Sequence, residues 1–131
     1  MTNQELLAAI ESAAGPSREL DLRIKAALFG FRVEDRGAGG MFLWDDREGA
    51  PACADDLHSV VPYTASLDLC AYLQQRLLPG WYRRTVHGPA TGFCVDLSRT
   101  APPRIETGWH ETSETLAWLA AILRAVNSED A

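Results

Sequence analysis

A chain of 131 residues, 47% apolar and 23% charged, suffices for one domain, residues 1–131, with its own core. It holds no run near the ~18 apolar residues of a membrane span. A net charge of −6 excludes a generic nucleic-acid binder, which needs a basic patch against phosphates, and leaves room for a basic protein partner.

Thr2 and Glu5 have capping-box spacing, and Leu6, Leu7 and Ile10 follow them, so a helix is predicted over residues 3–14. The start of the chain has no basic segment leading into an apolar core, so no signal peptide is expected and the cytoplasm is the expected compartment. Ser17 caps a second helix, 18–29, with Glu19 and Asp21 in its first turn and Leu20, Ile24, Ala27 and Leu28 on its buried stripe. Met41-Phe42-Leu43-Trp44 reads as a short strand, 41–44. Residues 49–60 read as a loop with one short helical turn.

Thr64 or Ser66 caps a third helix, 65–78, with Leu69, Cys70, Leu73 and Leu77 at helical spacing and Pro79-Gly80 as its stop. Residues 81–87 and 92–98 alternate with period two, which predicts a hairpin over 81–98. A connection at Gly88-Pro89-Ala90-Thr91 sets Val86 opposite Phe93, Arg84 opposite Val95 and Tyr82 opposite Leu97. That register gathers Trp81, Arg83, Thr85 and His87 on one face beside Cys94 and Asp96, with Arg83 across from Asp96. Arg104-Ile105-Glu106-Thr107 offers another short strand, 104–107. Thr112 caps a last helix, 112–126, whose wide apolar face includes Leu116, Trp118, Leu119, Ile122 and Leu123. A polar tail, 127–131, closes the chain. The expected fold is α+β: one small antiparallel sheet packed with four helices.

The motifs of chemistry are sparse. Cys53, Cys70 and Cys94 form neither a disulfide framework nor a Cys-x-x-Cys pair. His58, His87 and His110 lack metal-ligand spacing and could join Asp45 in a site only through folding. Asp45-Asp46 and Asp55-Asp56 read as solvated turn acids. The glycines around Gly37-Ala38-Gly39-Gly40 lack the Lys-Ser/Thr of a phosphate loop. No catalytic residue, metal or cofactor is expected. The candidate binding residues are Trp81, Arg83 and His87, with Trp44 and Trp109 at the strand ends. Indole rings and guanidinium forks together suit recognition of a base, a phosphate or a protein surface. The alternative is that the last helix covers this face and makes Trp81 core.

Several strings resemble the phage ABA sandwich domain family of small phage and prophage proteins. They are Ser17-Arg18-Glu19-Leu20-Asp21 opening a helix, Pro62-Tyr63-Thr64-Ala65-Ser66 before the central one, Trp81 after it, and the Ala/Leu-rich helix from Glu114 to Val126. The resemblance implies a phage or prophage origin and an α/β sandwich, with no catalytic residues to carry over. The expected function is that of a non-enzymatic binding protein. A counter-defence role is one form of it, with a host defence protein or its small nucleotide signal as partner. The alternative is a structural or assembly protein that forms a homo-oligomer through the 116–126 helix. A hydrolase with a folded His/Asp site ranks third.

Overall fold

The computed structural model describes residues 1–129, with side chains through Asn127. Its order is α1 (Asn3–Ser12), α2 (Arg18–Phe29), β1 (Arg32–Asp35), β2 (Met41–Asp45), β3 (Ala52–Asp56), α3 (Leu67–Leu77), β4 (Tyr82–Gly88), β5 (Gly92–Thr100), β6 (Pro103–His110) and α4 (Glu114–Glu129). The fold class is α+β, as expected. The sheet is not single: β1-β2-β3 and β4-β5-β6 form two antiparallel three-stranded sheets. The expected strand at 41–44 therefore belongs to a sheet of its own. α4 runs through Asn127, and residues 130 and 131 of the expected tail lie outside the described residues.

Short-range chemistry sets the helix starts. The side chains of Thr2, Ser17 and Ser66 accept the N–H groups of Glu5, Leu20 and Leu69, each filling an otherwise unpaired donor of the first turn. The cap of the last helix lies one residue later than expected. Ser113, not Thr112, accepts the Leu116 N–H. The N–H groups of Thr112 and Ser113 both donate to Nδ1 of buried His110, at 3.0 Å each. With Nδ1 accepting twice, the ring proton sits on Nε2 and donates to Ala13 O at 2.7 Å. His110 thereby ties the end of α1 to the start of α4.

Helix α2 lies between the two sheets. Leu20, Ile24 and Leu28 of α2 pack into the main core with α1, α3, α4, Val95 and Leu97. Leu22 and Ala26, on another side of α2, pack with Met41, Leu43 and Val60 beneath the first sheet. α4 lies on the second sheet with its backbone almost touching β6: a Cβ on Gly108 would sit 1.9 Å from Ala117 O and 2.5 Å from Ala121 N. The alanines of α4 are what allow this approach. Leu116, Ile122 and Leu123 are fully buried and Trp118 nearly so. The stripe expected to serve as a homo-oligomer face is thus consumed within the fold.

β1 and β3 were not expected as strands. β1 is four residues, three of them charged, and Ala52-Cys53-Ala54-Asp55-Asp56 has neither β-branched residues nor apolar alternation. Pairing with the apolar β2 holds both in place. A Lys25–Asp55 ion pair of 2.6 Å further ties β3 to α2.

Candidate binding surface on the second sheet

The β4–β5 register differs by one residue from the expected one. Gly92 takes a left-handed φ of 76°, open to glycine at little cost, and pairs with Gly88, which leaves three connecting residues instead of four. The partners are His87–Phe93, Thr85–Val95 and Arg83–Leu97 on the helix side, and Val86–Cys94, Arg84–Asp96 and Tyr82–Ser98 on the other. A one-residue slip exchanges the faces of a whole strand. Trp81, Arg83 and His87 therefore share a face with buried Val95 and Leu97, not with Cys94 and Asp96. The expected Arg83–Asp96 pair does not form. Arg83 bonds Glu114 at 2.9 Å, and Asp96 accepts from the Thr107 hydroxyl at 2.7 Å.

The outward face is a three-by-three grid. Its rows are Tyr82, Ser98, Ile105; then Arg84, Asp96, Thr107; then Val86, Cys94, Trp109. The four corners are apolar and exposed: Tyr82 65%, Val86 45%, Ile105 69% and Trp109 42%. They make up half of the eight large apolar side chains exposed among the described residues. The Trp109 indole N–H donates to Thr91 O, which holds the ring across the end of the sheet. These exposed apolar groups share one face of the sheet, on either side of the polar row. Of the expected site residues only Trp109 lies here, and the register error hid the others from the sequence.

The helix side of β4 forms a second feature. A hollow of about 470 Å³ is lined by Gln74, Leu78, Trp81, Arg83 and Trp118 among others. The Arg83 guanidinium stands 4.0 Å from the Trp118 ring. Trp118 donates to Gln74 Oε1 at 2.8 Å, and Gln74 donates to Trp81 O at 3.2 Å. Beyond Trp81, Arg99 and Arg104 lie 5.2 Å and 5.5 Å from its ring centre. Trp81 is half-buried on the rim of the core, between the two expected states. His87 stacks on Phe93 at 4.1 Å. Trp44 is remote in topology, on β2 of the first sheet. Its ring faces Arg32 at 6.0 Å, and its buried indole N–H has no partner among the described residues.

The two edges of this sheet are treated differently. On β6, the Trp109 N–H donates to Glu11 at 2.9 Å, and Arg124 donates to Thr107 O at 2.8 Å. Arg124 and Glu11 also bond each other twice, at 2.8 Å and 2.6 Å, so an ion pair plugs that edge. Burial alone would raise the Glu11 carboxyl, but the Arg124 side chain, the Trp109 N–H and the charge of Arg124 outweigh it and hold it below its ordinary 4.5. A depressed carboxyl adds stability that is present above its unfolded value and is lost as pH falls through the folded one. Glu11→Gln should therefore flatten the loss of stability below pH 4.5, as read by thermal melts across pH 2.5–7.

The remaining candidate groups are dispersed over the fold. His58 follows β3, His87 lies on β4 and His110 is the buried tie described above. Among the described residues no three His, Cys, Asp or Glu side chains gather to hold a metal ion. Burial pushes the Cys70 thiol up to about 12, away from reactivity. Cys94 is raised by burial and by the charges of Asp96 and Glu11. The Arg47 side chain holds the Asp45 carboxyl down to about 2. Asp46 pairs with Arg32 at 2.8 Å, and Asp56 accepts the N–H groups of His58 and Ser59.

One constellation was missed. Asp21, read as a first-turn acid, is 1% exposed and accepts both the N–H and the hydroxyl of Thr64 at 2.7 Å. The Thr64 hydroxyl in turn accepts the Ser17 N–H at 2.9 Å. The two strings at 17–21 and 62–66 thus meet in one buried knot. Comparison of the chain with protein-family models, curated proteins and solved structures found no match, so the functional reading rests on this surface and its chemistry.

Proposed function

We propose that this chain is a small non-enzymatic binding protein that captures a protein partner through the outward face of its second sheet. The observation that carries the reading is the set of four exposed apolar corners around a polar centre of Arg84, Asp96 and Thr107. The exposed apolar side chains supply contact area, and the charged middle row fixes register. A second copy fits this face poorly. A centred two-fold pairing sets Asp96 over Asp96 whichever in-plane axis is chosen, and like charges face to face oppose association. A phage or prophage origin is part of the proposal and rests on the resemblance of the 17–21 and 62–66 strings. From that origin, a host defence component is the class of partner proposed.

The test is capture from an extract of the bacterial host. Wild-type protein should retain a partner in one-to-one amounts, and Tyr82→Glu with Ile105→Glu should lose it at unchanged melting temperature. Retention by the double variant would contradict the reading. A second reading, a small nucleotide held in the hollow beside Trp81, is favoured by the Arg83 fork over Trp118 and by the size of the hollow, within the range of small-ligand sites. It predicts quenching of tryptophan fluorescence by mono- and dinucleotides, lost in Trp81→Ala.

A further inference from the structure

We propose that β4 is a docking edge for an extended acidic segment of the protein partner, which adds to the sheet as a further strand. The proposal rests on the reading of this sheet as a protein-binding surface and names how part of the partner is held. Hydrogen-bonding direction alternates along an antiparallel strand. The Trp109 N–H and the Thr107 carbonyl of β6 point away from β5, toward Glu11 and Arg124. Their partners Cys94 and Asp96 therefore direct their main-chain groups to Val86 and Arg84 of β4. By the same alternation Arg83, Thr85 and His87 direct theirs outward, and among the described residues nothing bonds them. The fold closes the β6 edge with an ion pair and leaves the β4 edge open. A row of unpaired main-chain donors and acceptors is a template for strand addition.

Charge selects the occupant. The chain carries a net −6, yet Tyr82–Gly88 holds two arginines and no acid, alone among the six described strands. Arg83 projects to the helix side and Arg84 to the outward face. An added strand sets successive side chains on opposite faces, so of two adjacent acids one would meet Arg84 and the other would share Arg83 with Glu114, which already bonds it at 2.9 Å. A second copy of β4 brings four arginines and no acid to one ribbon.

The experiment uses the whole chain and a labelled ten-residue peptide, Thr-Val-Thr-Val-Glu-Asp-Val-Thr-Val-Thr, in low salt, with a Lys-Lys version as control. The acidic peptide should bind at least about tenfold more tightly than the control. Amide exchange at Arg83, Thr85 and His87 should slow when it binds. Thr85→Pro removes an outward N–H without touching the β4–β5 ladder, a place where an edge strand tolerates proline, and should weaken binding about tenfold or more. Equal binding by Thr85→Pro, unchanged exchange at the three amides, or a dimer of the chain that Thr85→Pro dissolves would each overturn the proposal. The amide readout needs no variant. If Tyr82→Glu with Ile105→Glu abolishes partner capture while Thr85→Pro retains it, the outward face stands and the edge proposal falls.

Discussion

Gly108→Ala should destabilise the protein by about 3 kcal/mol or more, at the upper end of overpacking costs. Its melting temperature should fall by something on the order of 10 °C. The added Cβ would meet the Ala117 carbonyl at 1.9 Å and the Ala121 nitrogen at 2.5 Å. Both are backbone atoms of α4, so no side chain can rotate out of the way. The helix must lift from the sheet or β6 must bend, and either opens the buried layer of Leu116, Ala117 and Ala120 against Val95 and Leu97. Thermal melts followed by circular dichroism measure the effect. A loss below about 0.5 kcal/mol, as for an ordinary surface change, would mean that α4 does not pack this closely.

Asp21→Ala should cost about 3 kcal/mol, because a buried polar group left without its partner carries its full desolvation penalty. The Thr64 N–H loses a 2.7 Å acceptor, and the Thr64 hydroxyl still accepts the Ser17 N–H at 2.9 Å but as a donor keeps only the longer 3.3 Å contact to Ser17 O. Arg18 loses its 3.3 Å contact to the carboxylate but keeps its bonds to the carbonyls of His58 and Val60. Urea denaturation of Asp21→Ala, Thr64→Val and the double variant should give a coupling of about 0.5–3 kcal/mol, the range for residues in direct contact. Additive losses would mean that the two side chains do not act as one unit.

The local signals in the chain were legible where they act over one helical turn. Thr2, Ser17 and Ser66 cap as their spacing predicts, because a cap needs only its own first turn. The buried stripe of α4 was equally clear from its periodicity. The hairpin was legible as a hairpin, but its register depended on one backbone angle at Gly92, which no pattern of side chains announces. That single angle moved Tyr82, Arg84 and Val86 to the open face and Arg83 beneath Trp118. β1 and β3 are polar and short, and only pairing with β2 makes them strands. Asp21 and Thr64 stood in the two strings that carried the resemblance, yet their bond spans 43 residues and neither string alone implies it. The contrast between a plugged β6 edge and an open β4 edge arises entirely from tertiary contacts of Glu11 and Arg124.

The outward face of the second sheet, together with its β4 edge, is the surface proposed to receive a protein partner. Hydrogen–deuterium exchange across the whole chain, with and without the captured partner, tests it most directly. Slowed exchange confined to β4, β5 and β6, strongest at Arg83, Thr85 and His87, is the predicted result. Protection centred on the hollow beside Trp81 and the end of α3, with β4 unchanged, would contradict it.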